Sequence, residues 1–199
     1  MTTQSNIHFF VNWAKGRLDE MDAALTSLEG KVGGVQADAR DKANKILADL
    51  RKKRDDFGDT VKKQSEANES AWVSAKTNLE SEWNGFEAEV KKYVESFDKQ
   101  IEQQQATFKL QSAAQLKAWR QAAEKLGSSA KEFTAERRGE IDAVVKRMNT
   151  DATAAEEKLQ KLSQAGGQSW SALMAALTET RAAFDRANQA ARDAFKRAA

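Results

Sequence analysis

Apolar side chains return every eleven residues through the first two thirds of the chain. One series reads Val35, Ile46, Phe57, Leu79, Val90 and Ile101, with Asn68 interrupting it. A second reads Leu28, Ala39, Leu50, Val61, Trp72, Trp83 and Val94, then Gln105 and Leu116, and a third joins late through Ala75, Phe86, Phe97, Phe108 and Trp119. Eleven residues over three turns is about 3.67 per turn, so the stripe follows one helix face almost straight. After Gly127 the step becomes seven: Ile141, Met148, Ala155 and Leu162, then Trp170, Leu177, Phe184 and Ala191. Heptads favour left-handed packing against another helix. No window shows the β-branched alternation of a strand.

The pattern predicts an all-α chain, a single elongated antiparallel bundle or coiled coil of three to four long helices spanning residues 1–199. Proline is absent, so the ten glycines are the candidate punctuation. Helices are expected near 5–57, 60–126, 129–165 and 168–197, with breaks at 30–34, 58, 127 and 166–167. Gly127 is followed by Ser128-Ser129, with Glu132 three residues after Ser129, the spacing of a capping box that starts a new helix. Asp59 would cap a helix after Gly58. Two layouts fit: three long helices folded back on each other, or one helix from about 35 to 126 with shorter ones against it. The helix over 60–126 would be roughly 100 Å long. A rod with so narrow a stripe buries little per residue, and a homodimer is the expected remedy.

Composition narrows the chemistry. The 199 residues include no cysteine and one histidine, His8, while 31% are charged and the net charge is +2. Without thiols there is no disulfide framework, zinc ribbon or cysteine nucleophile. One imidazole leaves no multi-histidine metal centre. Neither a phosphate-binding Gly-Lys loop nor a dinucleotide fingerprint occurs. No catalytic, cofactor-binding or metal-binding residue is therefore assigned, and the chain is read as a non-enzyme. Carboxylates sit four residues from bases, as in Asp41/Lys45, Glu87/Lys91, Glu95/Lys99 and Glu157/Lys161. That spacing predicts surface ion pairs. The longest apolar run, 172–177, is far short of the roughly twenty residues that span a bilayer. The N-terminus lacks the basic and apolar regions of a signal peptide. A cytoplasmic protein, or one peripheral to the inner membrane, is the expectation.

Three sets of residues are candidates for binding. Ile7, Phe9, Phe10, Val11 and Trp13 make the N-terminal helix apolar over a wide arc. Such an arc can lie in a membrane interface, on a second protein, or on the bundle itself. Arg51, Lys52, Lys53, Arg54, Lys62 and Lys63 form the densest basic patch and could bind phosphates of lipid heads. Asp49, Asp55, Asp56 and Asp59 intermix with them, and no aromatic residue interleaves to stack bases, which argues against nucleic acid. Trp72, Leu79, Trp83, Phe86, Val90, Phe97, Ile101, Phe108 and Trp119 mark the stripe expected to form the core or the oligomer contact.

Two segments carry a resemblance. Residues 69–76 (ESAWVSAK) with 82–90 (EWNGFEAEV), and Ser169-Trp170-Ser171-Ala172-Leu173 leading to Phe184, resemble small bacterial coiled-coil proteins of the stress-response type. The eleven-residue period is also similar to apolipoprotein-like repeats, and three long helices resemble BAR-type membrane-shaping dimers. These resemblances imply a non-enzymatic scaffold or interaction protein. The alternative is a peripheral membrane binder using the N-terminal aromatics and the basic patch, and nucleic-acid association is a weaker third.

Overall fold

In the computed structural model the backbone is described for residues 2–64, 69–97, 101–165 and 167–198. Side-chain surroundings are described for Phe9 onward within those ranges, residues 69 and 101 excepted. The described residues contain no strand. Among the described residues six α-helices follow one another: α1 (Thr2–Glu29), α2 (Ala37–Gln64), α3 (Glu69–Phe97), α4 (Ile101–Ala130), α5 (Ala135–Gln164) and α6 (Trp170–Ala198). They are nearly equal, from 28 to 30 residues, and each is about 42–45 Å long.

The three-to-four-helix expectation is corrected here. The helix foreseen over 60–126 is replaced by the end of α2, all of α3 and most of α4. α2 ends at Gln64 and α3 begins at Glu69; α3 ends at Phe97 and α4 begins at Ile101. The physical reason is burial: folding back lets the apolar stripe close on its own chain.

Side-chain pairs fix the directions. Along α1 Trp13, Asp22 and Glu29 meet Phe57, Arg54 and Arg51, so α1 and α2 are antiparallel. Phe10 meets Trp72, and Leu28 O accepts from Tyr93 Oη, so α3 runs parallel to α1. Ser27 meets Thr107 while Lys15 meets Gln121, reversing α4. Arg120 with Glu156 and Lys158 with Glu179 continue the alternation through α5 and α6. The result is an up-and-down bundle in which α1 packs against α2, α3, α4 and α6.

Two apolar clusters fill it. The first joins α1, α2 and α3 to the start of α6 through Met21, Leu28, Leu50, Phe57, Trp72 and Leu173. The second joins α4, α5 and α6 through Trp119, Ala123, Ile141, Met148, Phe184 and Phe195, and takes in Phe9. Alanines in the second allow the close helix approach that keeps its aromatic rings in contact, Trp119 with Phe184 and Phe133 with Phe195.

The turns differ from expectation in two places. Gly58 lies within α2, which continues to Gln64. α4 runs through Gly127 to Ala130, so Ser129 is a helical residue rather than a cap. The reversal comes three residues later, through successive three-residue bonds from Lys131, Glu132 and Phe133 N–H to Ser128, Ser129 and Ala130 carbonyls. Thr134 then stands extended before α5. Gly127 is an interior helical residue: a Cβ there would lie 3.6 Å from Val145 Cγ1 of α5, an ordinary van der Waals contact. Of the residues in the other two expected breaks, Gly166 lies outside the described residues. Val32–Gly34 make a short 3-10 turn between α1 and α2. Before α6, Gly167 adopts a positive φ of 68°, which glycine tolerates without strain. Ser169 Oγ then accepts from Ala172 N–H as a helix cap.

Candidate functional site

The aromatic residues proposed as a partner or membrane face are inside the bundle. Phe9, Phe10 and Trp13 are buried. Phe10 stacks on Trp72 with ring centroids 5.8 Å apart, Trp13 meets Phe57, and Phe9 meets Phe195 edge-on. Val11 is half-buried, and the side chains of Ile7 and His8 lie outside the described residues. As an exposed lipid-binding face the set is corrected: α1 is enclosed by four helices, and its wide apolar arc is the consequence.

The stripe residues follow the same rule. Trp72, Leu79, Trp83, Phe86, Val90, Phe108 and Trp119 are all buried within the one chain. Phe97 is half-buried, and the side chain of Ile101 is outside the described residues. The unmet stripe that called for a dimer is thus met internally.

The basic patch is spread over α2 and largely answered by its neighbours. Arg51 pairs with Glu29 at 2.7 Å, Lys52 with Asp56 at 2.8 Å, and Arg54 with Asp22 at 2.6 Å and with Asp55. Lys53 Nζ lies 3.5 Å from where a Cβ on Gly85 would stand. Lys62 and Lys63 are exposed. Asp22 and Asp56 hold the Arg54 and Lys52 pKa values up, the hydrogen bond being the main cause in each case. Arg51, Lys52 and Arg54, half of the patch, are thus held in ion pairs.

What sequence reading missed is a chain of charges through the interior. Arg181 on α6 donates from Nε and Nη2 to Glu20 Oε2 at 2.8 and 2.6 Å, and from Nη1 to Glu87 on α3. Arg17 donates from Nη1 to Glu20 Oε1 at 3.4 Å and to Gln115 Oε1 at 3.3 Å, and from Nη2 to Asp185 at 3.1 Å. Glu20 is 0% exposed, Arg181 3% and Arg17 5%. The order Glu87–Arg181–Glu20–Arg17–Asp185 therefore ties α3, α6 and α1 together. Trp83 is its platform, with the Arg181 and Arg17 guanidinium carbons 4.8 and 5.4 Å from the ring centroid. Such stacking is attractive and favours arginine over lysine.

Burial sets the electrostatics. It pushes the Glu20 carboxyl above its ordinary pKa, with Arg181 and Arg17 pulling against it. It likewise raises Asp185, again opposed first by Arg17. For Arg181 burial works downward, but Glu20 and Glu87 outweigh it and hold the guanidinium up.

The charged chain ends at two cavities. Asp185 lines one of about 330 Å³ with Phe9, Phe10, Trp13, Lys76 and Arg192. There the rings are already covered by the protein's own cations, Lys76 over Trp13 and Arg192 over Phe10. Glu87 lines a larger one of about 740 Å³ between α3, α4 and the start of α6, with Val90, Lys91, Gln111, Trp170 and Met174. Glu87 was expected to pair with Lys91 four residues on; it turns inward to Arg181, and Lys91 pairs with Glu95 instead.

The signal for this chain existed in the sequence. Arg17 and Glu20 interrupt the face carrying Ala14, Met21 and Ala24, and Arg181 lies between Leu177 and Phe184. Charges at core positions of a helix need partners, and only the fold names them.

Among the described residues no group of three or more His, Cys, Asp or Glu side chains is placed to hold a metal ion. No described helix is long and apolar enough to cross a membrane. Compared with protein-family models, curated proteins and solved structures, the chain has no match.

Proposed function

We propose that this protein is a non-enzymatic helical scaffold or interaction protein, acting as a preformed rigid body. The observation that carries this reading is the enclosure of α1. Its aromatics are consumed by contacts to α2, α3 and α6, and its two interior charges are tied across the bundle to α6. A chain built this way spends its apolar surface on holding six helices in register. What remains outside is a mixed-charge surface carrying several ion pairs, such as Lys52–Asp56 and Arg197–Glu140, suited to polar contacts with a partner.

Peripheral membrane binding asks more of the molecule. α1 would have to leave the bundle, parting Phe10 from Trp72 and Phe9 from Phe195, and the α2 cations would have to exchange Asp22, Glu29 and Asp56 for lipid phosphates. Association with a second copy remains compatible with the scaffold role, through polar surface rather than through the aromatic stripe.

Flotation with neutral and anionic vesicles over a range of salt tests the proposal. A scaffold stays out of the vesicle fraction under every condition. Co-flotation with anionic vesicles that declines as salt rises would replace the scaffold by the membrane reading.

A further inference from the structure

We propose that the cavity between α3, α4 and the start of α6 is a binding site for a small amphiphile with a primary ammonium head and an apolar body. Its volume of about 740 Å³ falls in the range of small-molecule sites. Trp170, Val90 and Met174 supply apolar wall, and Glu87, Glu95 and Gln111 supply acceptors along the same cavity.

Charge arithmetic gives the sign of the head group. The interior chain holds three carboxylates, Glu20, Glu87 and Asp185, against two guanidiniums, Arg17 and Arg181. One negative charge is in excess. At the Asp185 end the small cavity is lined by Lys76, paired with Glu80 at 2.8 Å, and by Arg192. At the Glu87 end the neighbouring cation is Lys91, which is paired with Glu95. The lining of the large cavity carries two carboxylates, Glu87 and Glu95, against Lys91, so a cationic head group matches it.

Gln111 supplies a second, independent indication. It is 1% exposed, it lines the cavity, and its Oε1 has no hydrogen-bond partner in the protein. A buried acceptor left unmade calls for a donor. A primary ammonium can donate to Glu87 and Gln111 together, whereas a quaternary ammonium has no proton to give. The primary amine is thus selected over the quaternary one, and over an acid of the same shape.

The experiment uses the full chain and 4-phenylbutylamine, followed by NMR shifts of the Trp170 indole N–H and by calorimetry. 4-Phenylbutyrate and trimethyl(4-phenylbutyl)ammonium are the comparison ligands. The amine is expected to saturate and to bind about tenfold more tightly than either, the difference expected of a charge-assisted hydrogen bond. Ala88→Trp, at an exposed position on the cavity wall, should abolish binding while leaving the thermal melt unchanged. Glu95→Gln, on the surface and clear of the buried arginines, should weaken it severalfold, and Glu87→Gln by about tenfold. Absence of saturable shifts with the amine, equal binding of the carboxylate, or full binding by Ala88→Trp would each overturn the proposal.

Discussion

Arg181 and Glu20 lie 161 positions apart in sequence and are joined by two hydrogen bonds, Nε and Nη2 to the same Oε2, at 2.8 and 2.6 Å. Neither residue meets solvent to any useful degree. A pair of this kind says little about net stability, because desolvating both groups offsets most of their attraction. It says more about which helix faces which, since any other register would strand a charge in the interior.

Removing one partner should therefore be costly, and removing the set much less so. Arg181→Leu leaves Glu20 buried with a weaker counter-charge, and should lose about 3–5 kcal/mol of unfolding free energy at neutral pH. The triple change Arg17→Met, Glu20→Leu, Arg181→Leu should lose less than that single change. Urea unfolding of the two variants measures this directly. A triple variant weaker than the single would mean that the ionic chain stabilises the fold outright.

Asp185 offers a test by pH. Its folded pKa is raised by burial above the ordinary aspartate value. The folded protein then holds the proton more tightly than the unfolded one, and this group's contribution to stability falls as pH rises from the ordinary aspartate range through the raised value. Asp185→Asn lacks that contribution. Its stability relative to the parent should climb as pH rises above the ordinary aspartate pKa of about 4, whatever the constant offset from losing the Arg17 contact. A difference that declines over the same range would show that Arg17 outweighs burial and holds the carboxyl down.

Two glycines should respond in opposite directions. Gly139 is exposed in α5 with nothing within 4 Å of a built Cβ, so Gly139→Ala should stabilise by about 0.5–1 kcal/mol through helix propensity. Gly127 faces Val145 across the α4–α5 contact. Gly127→Leu should destabilise by about 1–3 kcal/mol through overpacking. Thermal melts of both variants suffice, and equal effects would place the α4–α5 contact elsewhere.

The Phe10–Trp72 stack should behave as a coupled pair. Trp72→Ala alone removes a fully buried ring and should cost about 3–5 kcal/mol. A double-mutant cycle with Phe10→Ala should yield a coupling of about 0.5–1.5 kcal/mol, the share due to ring geometry. Additive losses would separate α1 from α3.

Helix content was legible from the sequence because period and propensity agree along the whole chain. Trp72, Trp83 and Phe86 were recognisable as stripe residues for the same reason, and all three are buried. Helix ends were less legible. Gly127 looked like punctuation but lies within α4, while α2 ends at Gln64 and α3 begins at Glu69 with neither glycine nor proline in the sequence between them. An eleven-residue period continues in phase on either side of such a division, so periodicity alone cannot distinguish one long helix from two that fold back. The charged interior was hidden differently. Arg17, Glu20 and Arg181 interrupt apolar helix faces, but beyond the local Arg17–Glu20 pair their partners lie on other helices at separations that no local spacing encodes.

Acrylamide quenching of tryptophan fluorescence, followed as the protein is diluted, tests most directly whether the aromatic stripe closes within one chain. The five indoles, at residues 13, 72, 83, 119 and 170, are between 0% and 7% exposed. The account predicts weak quenching that does not change on dilution from micromolar to nanomolar concentration. Quenching that rises as the protein is diluted would mean that a second chain covers the stripe, and would contradict the self-enclosed bundle.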